Sequence, residues 1–210
     1  MKRITCLILD MGGVLTQEHR LDKVDELMRV LGLACPREDF LKTYYERRSD
    51  YDRGTVGGAA YWRRVALDLG AEPSEADLDA LVRIDLESWF NKREGMFELL
   101  AAARESLGRL VLLSNIHADG ARYIRDGEGR DWFSLFDHLV LSCEHKLLKP
   151  ERAIYELALD AVGALAAETL FVDDNQGNVE GARAAGLSSF LFVSEGDFAA
   201  RLADEYELTS

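Results

Sequence analysis

The sequence predicts an α/β protein, a doubly wound and mainly parallel sheet carrying an inserted all-helical segment. Three observations predict it. Short runs that are apolar on both faces recur along the chain, each followed by an amphipathic stretch of helical period, as strands covered by helices require. Three of those runs end in polar residues at their carboxyl ends, where open α/β sheets bind ligands. Between the first run and the second lie about ninety residues with no strand-like run.

The first strand is expected at 4–9, Ile-Thr-Cys-Leu-Ile-Leu. Four helices follow, near 21–31, 37–50, 58–69 and 75–90. Pro36 and Pro73 stand at helix starts, where a missing N–H costs nothing. Ser74 with Asp77 three residues on resembles a capping arrangement. Gly32 and Gly70 fall where helices end. Beyond the insertion the pattern alternates: helix 95–107, strand 110–113, helix 117–127, strand 139–141, helix 151–162, strand 170–172, helix 176–185 and strand 190–193. Such alternation gives a parallel sheet of about five or six strands. Residues 1–15 and 94–210 then form a Rossmann-like core, and 16–93 a separate helical domain.

A length of 210 residues suits one domain with a large insertion. The net charge of −13 excludes a nucleic-acid backbone or an anionic membrane surface as the main partner, because both need a basic face. Half of the basic residues lie within 16–93, which is therefore the less acidic part. No apolar stretch is long enough to span a bilayer, and the run before Asp10 is too short for a signal sequence. Cys6, Cys35 and Cys143 are odd in number and widely spaced, which fits neither a disulfide framework nor a metal knot. A cytoplasmic, reduced protein is expected.

The chemistry lies at the strand ends. Asp10 closes the first run and leads into Met11-Gly12-Gly13-Val14; Ser114-Asn115 closes the second; Asp173-Asp174-Asn175 closes the fourth. Lys149, before Pro150, opens the helix after the third. Singly these are bland: a strand-end Asp is often a helix cap, and Ser-Asn is usually a turn. Asp173-Asp174 is less so, since adjacent carboxylates repel unless a cation or hydrogen bonds relieve them. Together, in order and at the same ends of neighbouring strands, they converge on one crevice.

With these motifs the chain resembles the haloacid dehalogenase-like superfamily, most of whose members are phosphatases with an aspartate nucleophile. The motifs read Asp10-Met11-Gly12-Gly13-Val14-Leu15, Leu113-Ser114-Asn115, Lys149-Pro150-Glu151 and Phe171-Val172-Asp173-Asp174-Asn175, continuing through Asn178 and Gly181 to Gly186-Leu187. Within the superfamily it looks most like the sugar-phosphate phosphatases whose first motif is Asp-x-Gly, of the α-D-glucose-1-phosphate phosphatase type. The resemblance implies that 16–93 is a cap domain, with hinges near 15–19 and 92–95, and that the substrate is a small phosphorylated metabolite such as a sugar phosphate. It implies Asp10 as nucleophile and Mg²⁺ held by Asp10, the carbonyl of Gly12 and Asp174, with Asp173 orienting a bound water. Ser114, the Asn115 amide and Lys149 would bind the phosphoryl oxygens, and Asn178 would orient Lys149 or the metal carboxylates.

The departure is Gly12, where most such phosphatases carry a second Asp that protonates the leaving alkoxide. Without it, turnover should favour leaving groups that need little help, unless a cap side chain or a bound water supplies the proton. A 2-haloacid dehalogenase and a non-catalytic binding protein are the alternatives; the first needs no acid at Gly12 but leaves Asp173-Asp174 without a purpose. Outside the motifs, Tyr44, Tyr45, Tyr51, Tyr61 and Trp62 read as cap core. Lys42, Arg47, Arg48, Arg53, Arg63 and Arg64 read as a solvated face from which any one could reach substrate. His117 reads as structural or exposed, His145-Lys146 as lining the crevice mouth, and Trp132 as packing.

Overall fold

The computed structural model describes residues 1–17, 19–106, 108–127 and 129–208. The chain begins with strands β1 (Lys2–Ile4) and β2 (Cys6–Leu9), then runs through five helices: α1 (Leu21–Val30), α2 (Arg37–Glu46), α3 (Arg48–Asp52), α4 (Gly58–Asp68) and α5 (Glu75–Trp89). It continues as α6 (Glu94–Ala103), β3 (Arg109–Ser114), α7 (Ala118–Asp126), β4 (His138–Leu141), α8 (Ser142–His145), α9 (Arg152–Val162), β5 (Thr169–Asp173), α10 (Gln176–Ala184), β6 (Ser188–Leu191), α11 (Glu195–Glu205) and β7 (Tyr206–Leu208).

The central sheet has five strands in the order β4-β3-β2-β5-β6, and every pairing is parallel. Alternate residues of its strands enter two different cores, as a period of two demands. Leu7, Leu9, Leu110, Leu112 and Val172 pack with Met96, Ile124 and Phe198 on one face. Ile8, Val111, Leu113 and Phe171 pack with Ile154, Tyr155 and Ala182 on the other. A third cluster, including Val24, Phe40, Tyr44, Trp62, Val65 and Leu78, lies wholly among α1–α5. Those helices thus bury their apolar faces against one another. Ser74 and Asp77 form the reciprocal cap at the start of α5. Gly32 and Gly70 take positive φ just past α1 and α4, a backbone state that favours glycine.

Several expectations need correction. The run 4–9 is not one strand: β1 leaves the main sheet at Thr5 and pairs with β7 in a separate two-stranded sheet. The last strand starts two residues earlier than its apolar run, because Ser188 and Ser189 join the ladder, and Ser189 Oγ donates to the Val179 carbonyl. Exposed Val193 lies beyond it. The helix expected over 37–50 breaks at Arg47, and the short α3 turns to meet α8, where Ser142 Oγ donates to the Asp52 carbonyl. Neither α11 nor α8 was legible as an element, although Ser194 caps α11 through the Asp197 amide. Residue 107 of the helix expected at 95–107, and residue 18 of the expected hinge 15–19, lie outside the described residues.

Between sheet and helices the two crossings run side by side. Thr16 bridges Lys92, Gln17 N–H donates to the Asn91 carbonyl and Arg93 N–H to the Leu15 carbonyl. The three cysteines are free. Among the described residues, no helix is long and apolar enough to cross a membrane.

Candidate active site

Because β2 pairs with β3 on one side and β5 on the other, the residues that follow these strands meet at one edge. A cavity of about 530 Å³ opens there. Asp10, Gly12, Ser114, Asn115, Lys149 and Asp174 all line it. Every site residue expected from the sequence is therefore brought together.

Lys149 organises the floor. Its ammonium lies 2.6 Å from Asp10 Oδ1 and 2.7 Å from Asp173 Oδ2, and the residue is almost fully buried. Its backbone is clamped by Asn115, whose Oδ1 accepts from Lys149 N–H at 2.8 Å and whose Nδ2 donates to the Lys149 carbonyl at 3.0 Å. The Asn115 side chain thus ties β3 to the start of α9. Burial works to lower the pKa of the Lys149 ammonium, but the charges of Asp10 and Asp173 outweigh it and the shift is upward. Lys149 stays protonated.

Asp173 is tied into the floor of the site. It is wholly buried and its oxygens are taken by Lys149 Nζ, by the Asn175 amide at 2.8 Å and by Asn178 Nδ2 at 3.1 Å. These contacts set Asp173 against the Lys149 ammonium. Asn178, one turn into α10, therefore holds Lys149 through Asp173. Asn175 caps the same helix through the Gly177 amide.

Three carboxylates face one ammonium. Asp10, Asp173 and Asp174 each offer an oxygen within 4.8 Å of the others. Burial, and next the charge of Asp173, push the Asp10 carboxyl well above the ordinary carboxylate range, with Lys149 offsetting only part. An ionised Asp10 therefore calls for one more positive charge beside it. Hard carboxylate oxygens with an open, exposed member in Asp174 suit a divalent cation of the Mg²⁺ kind. The residues present fit that ion.

The helical side supplies the opposite wall: Tyr45, Arg48, Asp52, Trp89 and Phe90 line the same cavity, as do Ile116 and His117 from the loop after β3. Of the six basic candidates Arg48 alone lines the cavity. Arg47 pairs with Asp68, Arg63 with Glu75, and Arg53 with Glu151 across to the core. Tyr44, Tyr51, Tyr61 and Trp62 are buried core, as expected, but Tyr45 is half exposed and lines the cavity. His145 and Lys146 do not line it. Lys146 Nζ instead donates to the Gly54 and Cys143 carbonyls, fastening the helical part to α8. His117 is structural: its Nδ1 accepts the Gly120 amide at the start of α7 and its ring stacks on Tyr51, centroids 4.1 Å apart. Trp132 packs against Phe90 and Tyr123.

Sequence reasoning missed Trp89 and the Arg48–Asp52–Asp85 cluster. A Cβ on Gly12 would lie 3.4 Å from the Trp89 ring, so α5 fills the space beside the first motif. The i,i+4 spacing of Arg48 and Asp52 is the one local signal; Asp85 and the Trp89–Gly12 contact come from segments far apart in the chain.

A family model described as haloacid dehalogenase-like hydrolase matches residues 4–186. The chain is 26% identical over 187 residues to the sesquiterpene phosphatase astK of Aspergillus oryzae, covering 86% of this chain and 85% of that protein. It is 27% identical over 190 residues to the drimenol cyclase drtB of Aspergillus calidoustus, covering 90% of this chain and 34% of that protein, so it spans about a third of that relative's length. The solved HAD family enzyme bt-2542 of Bacteroides thetaiotaomicron superposes with a TM-score of 0.75 at 22% identity, covering 95% of this chain and 98% of that one. The complex of that enzyme with magnesium and inorganic phosphate superposes with a TM-score of 0.70 at 21% identity, covering 90% and 93%. At such identities the likeness is one of fold.

Proposed function

Since the chain belongs to the haloacid dehalogenase-like hydrolase family, we propose that it is a Mg²⁺-dependent phosphatase acting on a small phosphorylated metabolite through an aspartyl-phosphate. The observation that carries this reading is the buried Asp10–Lys149–Asp173 triad, with Asp174 beside it, at the floor of a closed-in cavity.

Asp10 attacks phosphorus, and its oxygen replaces the leaving oxygen, splitting one hard hydrolysis into two easier steps. A carboxylate approaching a phosphate dianion is repelled by about 4 kcal/mol per charge pair at ~4 Å and an effective dielectric of roughly 20. Mg²⁺, held by Asp10, the Gly12 carbonyl and Asp174, would supply the charge that cancels this repulsion and polarises the transferred group. Lys149, Ser114 and the Asn115 amide hold the phosphoryl oxygens and offset the charge that develops on them. Asp173 and Asn178 keep the Lys149 ammonium in place.

Residues 16–93 act as the cap and 1–15 with 94–210 as the catalytic core. The cap excludes water during transfer and opens for release, with hinges near 15–19 and 92–95. A sugar phosphate is the substrate class that the Asp-x-Gly motif favours. The mixed wall of Tyr45, Trp89, Phe90 and Met11 with Arg48 and Asp52 suits a ring with both faces and hydroxyls. The same apolar groups favour a second reading, a terpenyl phosphate, in line with the sesquiterpene phosphatase relative.

A panel of sugar, terpenyl and other metabolite phosphates, assayed with Mg²⁺ and with a chelator, tests the proposal. Phosphate release that requires Mg²⁺ supports it. Failure on every phosphate, with halide release from a 2-haloacid, overturns it.

A further inference from the structure

The first motif supplies no side chain at residue 12 to protonate a departing oxygen. Gly12 has no side chain and Trp89 stands over it, while Lys149 is committed to Asp10 and Asp173. On the cap side, Arg48 serves two carboxylates at once. Its Nη1 lies 2.9 Å from Asp85 Oδ2 and its Nε donates to Asp52 Oδ1 at 2.9 Å. Tyr44 adds a hydrogen bond to Asp85 at 2.6 Å, and Asp85 is wholly buried.

Two buried carboxylates against one guanidinium leave a surplus negative charge, which a single proton relieves. Asp85 accepts from both Tyr44 and Arg48 and lies away from the cavity lining. Asp52 accepts from Arg48 Nε at Oδ1 and lines the cavity together with Asp10. The other groups facing it agree: His117 presents a ring whose Nδ1 is taken by the Gly120 amide, and Tyr51 donates to Asp119. Burial, opposed by Arg48 and His117 and reinforced by Asp85, raises the Asp52 carboxyl above its ordinary range.

We propose that Asp52, on the cap, is the general acid and base of the reaction, in place of the side chain that Gly12 lacks. The assignment rests on the phosphatase reading above. As Asp10 forms its bond to phosphorus, the bond from phosphorus to the leaving oxygen breaks, its electron pair goes to that oxygen, and the Asp52 proton follows to give a neutral alcohol. Asp52, now a carboxylate, takes a proton from water as the water oxygen attacks the aspartyl-phosphate. The phosphorus–Asp10 bond breaks, and Asp10 carboxylate, inorganic phosphate and protonated Asp52 are restored.

The test compares kcat/KM for phosphomonoesters of graded leaving-group pKa, from p-nitrophenyl phosphate to alkyl phosphates, in the wild type and in Asp52→Asn. The amide oxygen can still accept from Arg48, and a thermal melt checks the fold. Wild type should show a shallow dependence on leaving-group pKa. The variant should lose ~10²–10⁴-fold on alkyl phosphates and less than tenfold on p-nitrophenyl phosphate. On p-nitrophenyl phosphate its kcat should fall with a burst of leaving group, because dephosphorylation has lost its base. A uniform loss in kcat/KM, or none, overturns the assignment while leaving the phosphatase reading intact. A steep dependence in wild type overturns it without any variant. Absence of phosphatase activity in wild type removes the phosphatase reading and the assignment together.

Discussion

Gly13 and Asp174 approach so closely that a Cβ on residue 13 would lie 2.0 Å from Asp174 Oδ2. Gly13 also takes a φ of +72°, so the turn after Asp10 is shaped to leave room for the carboxylate that follows β5. Gly13→Ala should therefore act on the metal more than on the fold. Strain of about 1–2 kcal/mol is expected from the left-handed backbone, readable in a urea titration. The Mg²⁺ concentration for half-maximal activity should rise by at least an order of magnitude, as it should in Asp174→Ala. An unchanged metal titration in both variants would contradict Asp174 as a ligand.

Lys149 is the countercharge for two buried carboxylates. Lys149→Met keeps the bulk but leaves Asp10 and Asp173 facing each other, and removing one partner of a buried ion pair typically costs about 3–5 kcal/mol. Denaturant unfolding should show a loss of that order, and activity should fall by ~10²–10³ or more. Adding Asp173→Asn should restore much of the stability and none of the activity. Stability unchanged by Lys149→Met would mean the triad is not held as one unit.

His19 makes stability depend on pH. Its ring is stacked between Trp89, at 4.7 Å, and Tyr44, at 5.2 Å, and its Nε2 is buried without a hydrogen-bond partner. Burial, helped by Arg48 and opposed by Asp85, pulls its pKa from 6.5 down to about 4. The unfolded chain thus binds the proton more readily than the folded one between those values. Stability contributed by the neutral ring is present above pH ~6.5 and is lost as pH falls toward about 4, by at most ~3 kcal/mol. His19→Phe should flatten that part of the stability profile. An identical acid limb in the variant would assign the loss to other groups.

The sheet and the floor of the site were legible because both follow from local rules. Short runs such as Leu110–Leu113, alternating with helical stretches, suit buried strands, and Asp10, Ser114 and Asp173 sit at strand ends that the parallel register brings together. The serines of β6 hid that strand's start, since its ladder is set by β5 rather than by hydropathy. The break at Arg47 was hidden for a similar reason: only the contact with α8 turns α3, and with it Arg48 and Asp52, toward the cavity. Asp173 and Trp89 show the same limit. Their parts depend on Lys149 and Gly12, which stand 24 and 77 residues away, and no local pattern encodes such pairs.

The nucleophile is the centre of the account, and covalent trapping tests it most directly. Acid quenching of a single turnover with a radiolabelled phosphomonoester should leave label on the wild-type protein, mapped by peptide analysis to Asp10. Asp10→Asn, with an unchanged melting profile, should take up no label and release no phosphate. Label on another residue, or sustained turnover by the folded Asp10→Asn protein, would contradict the assignment.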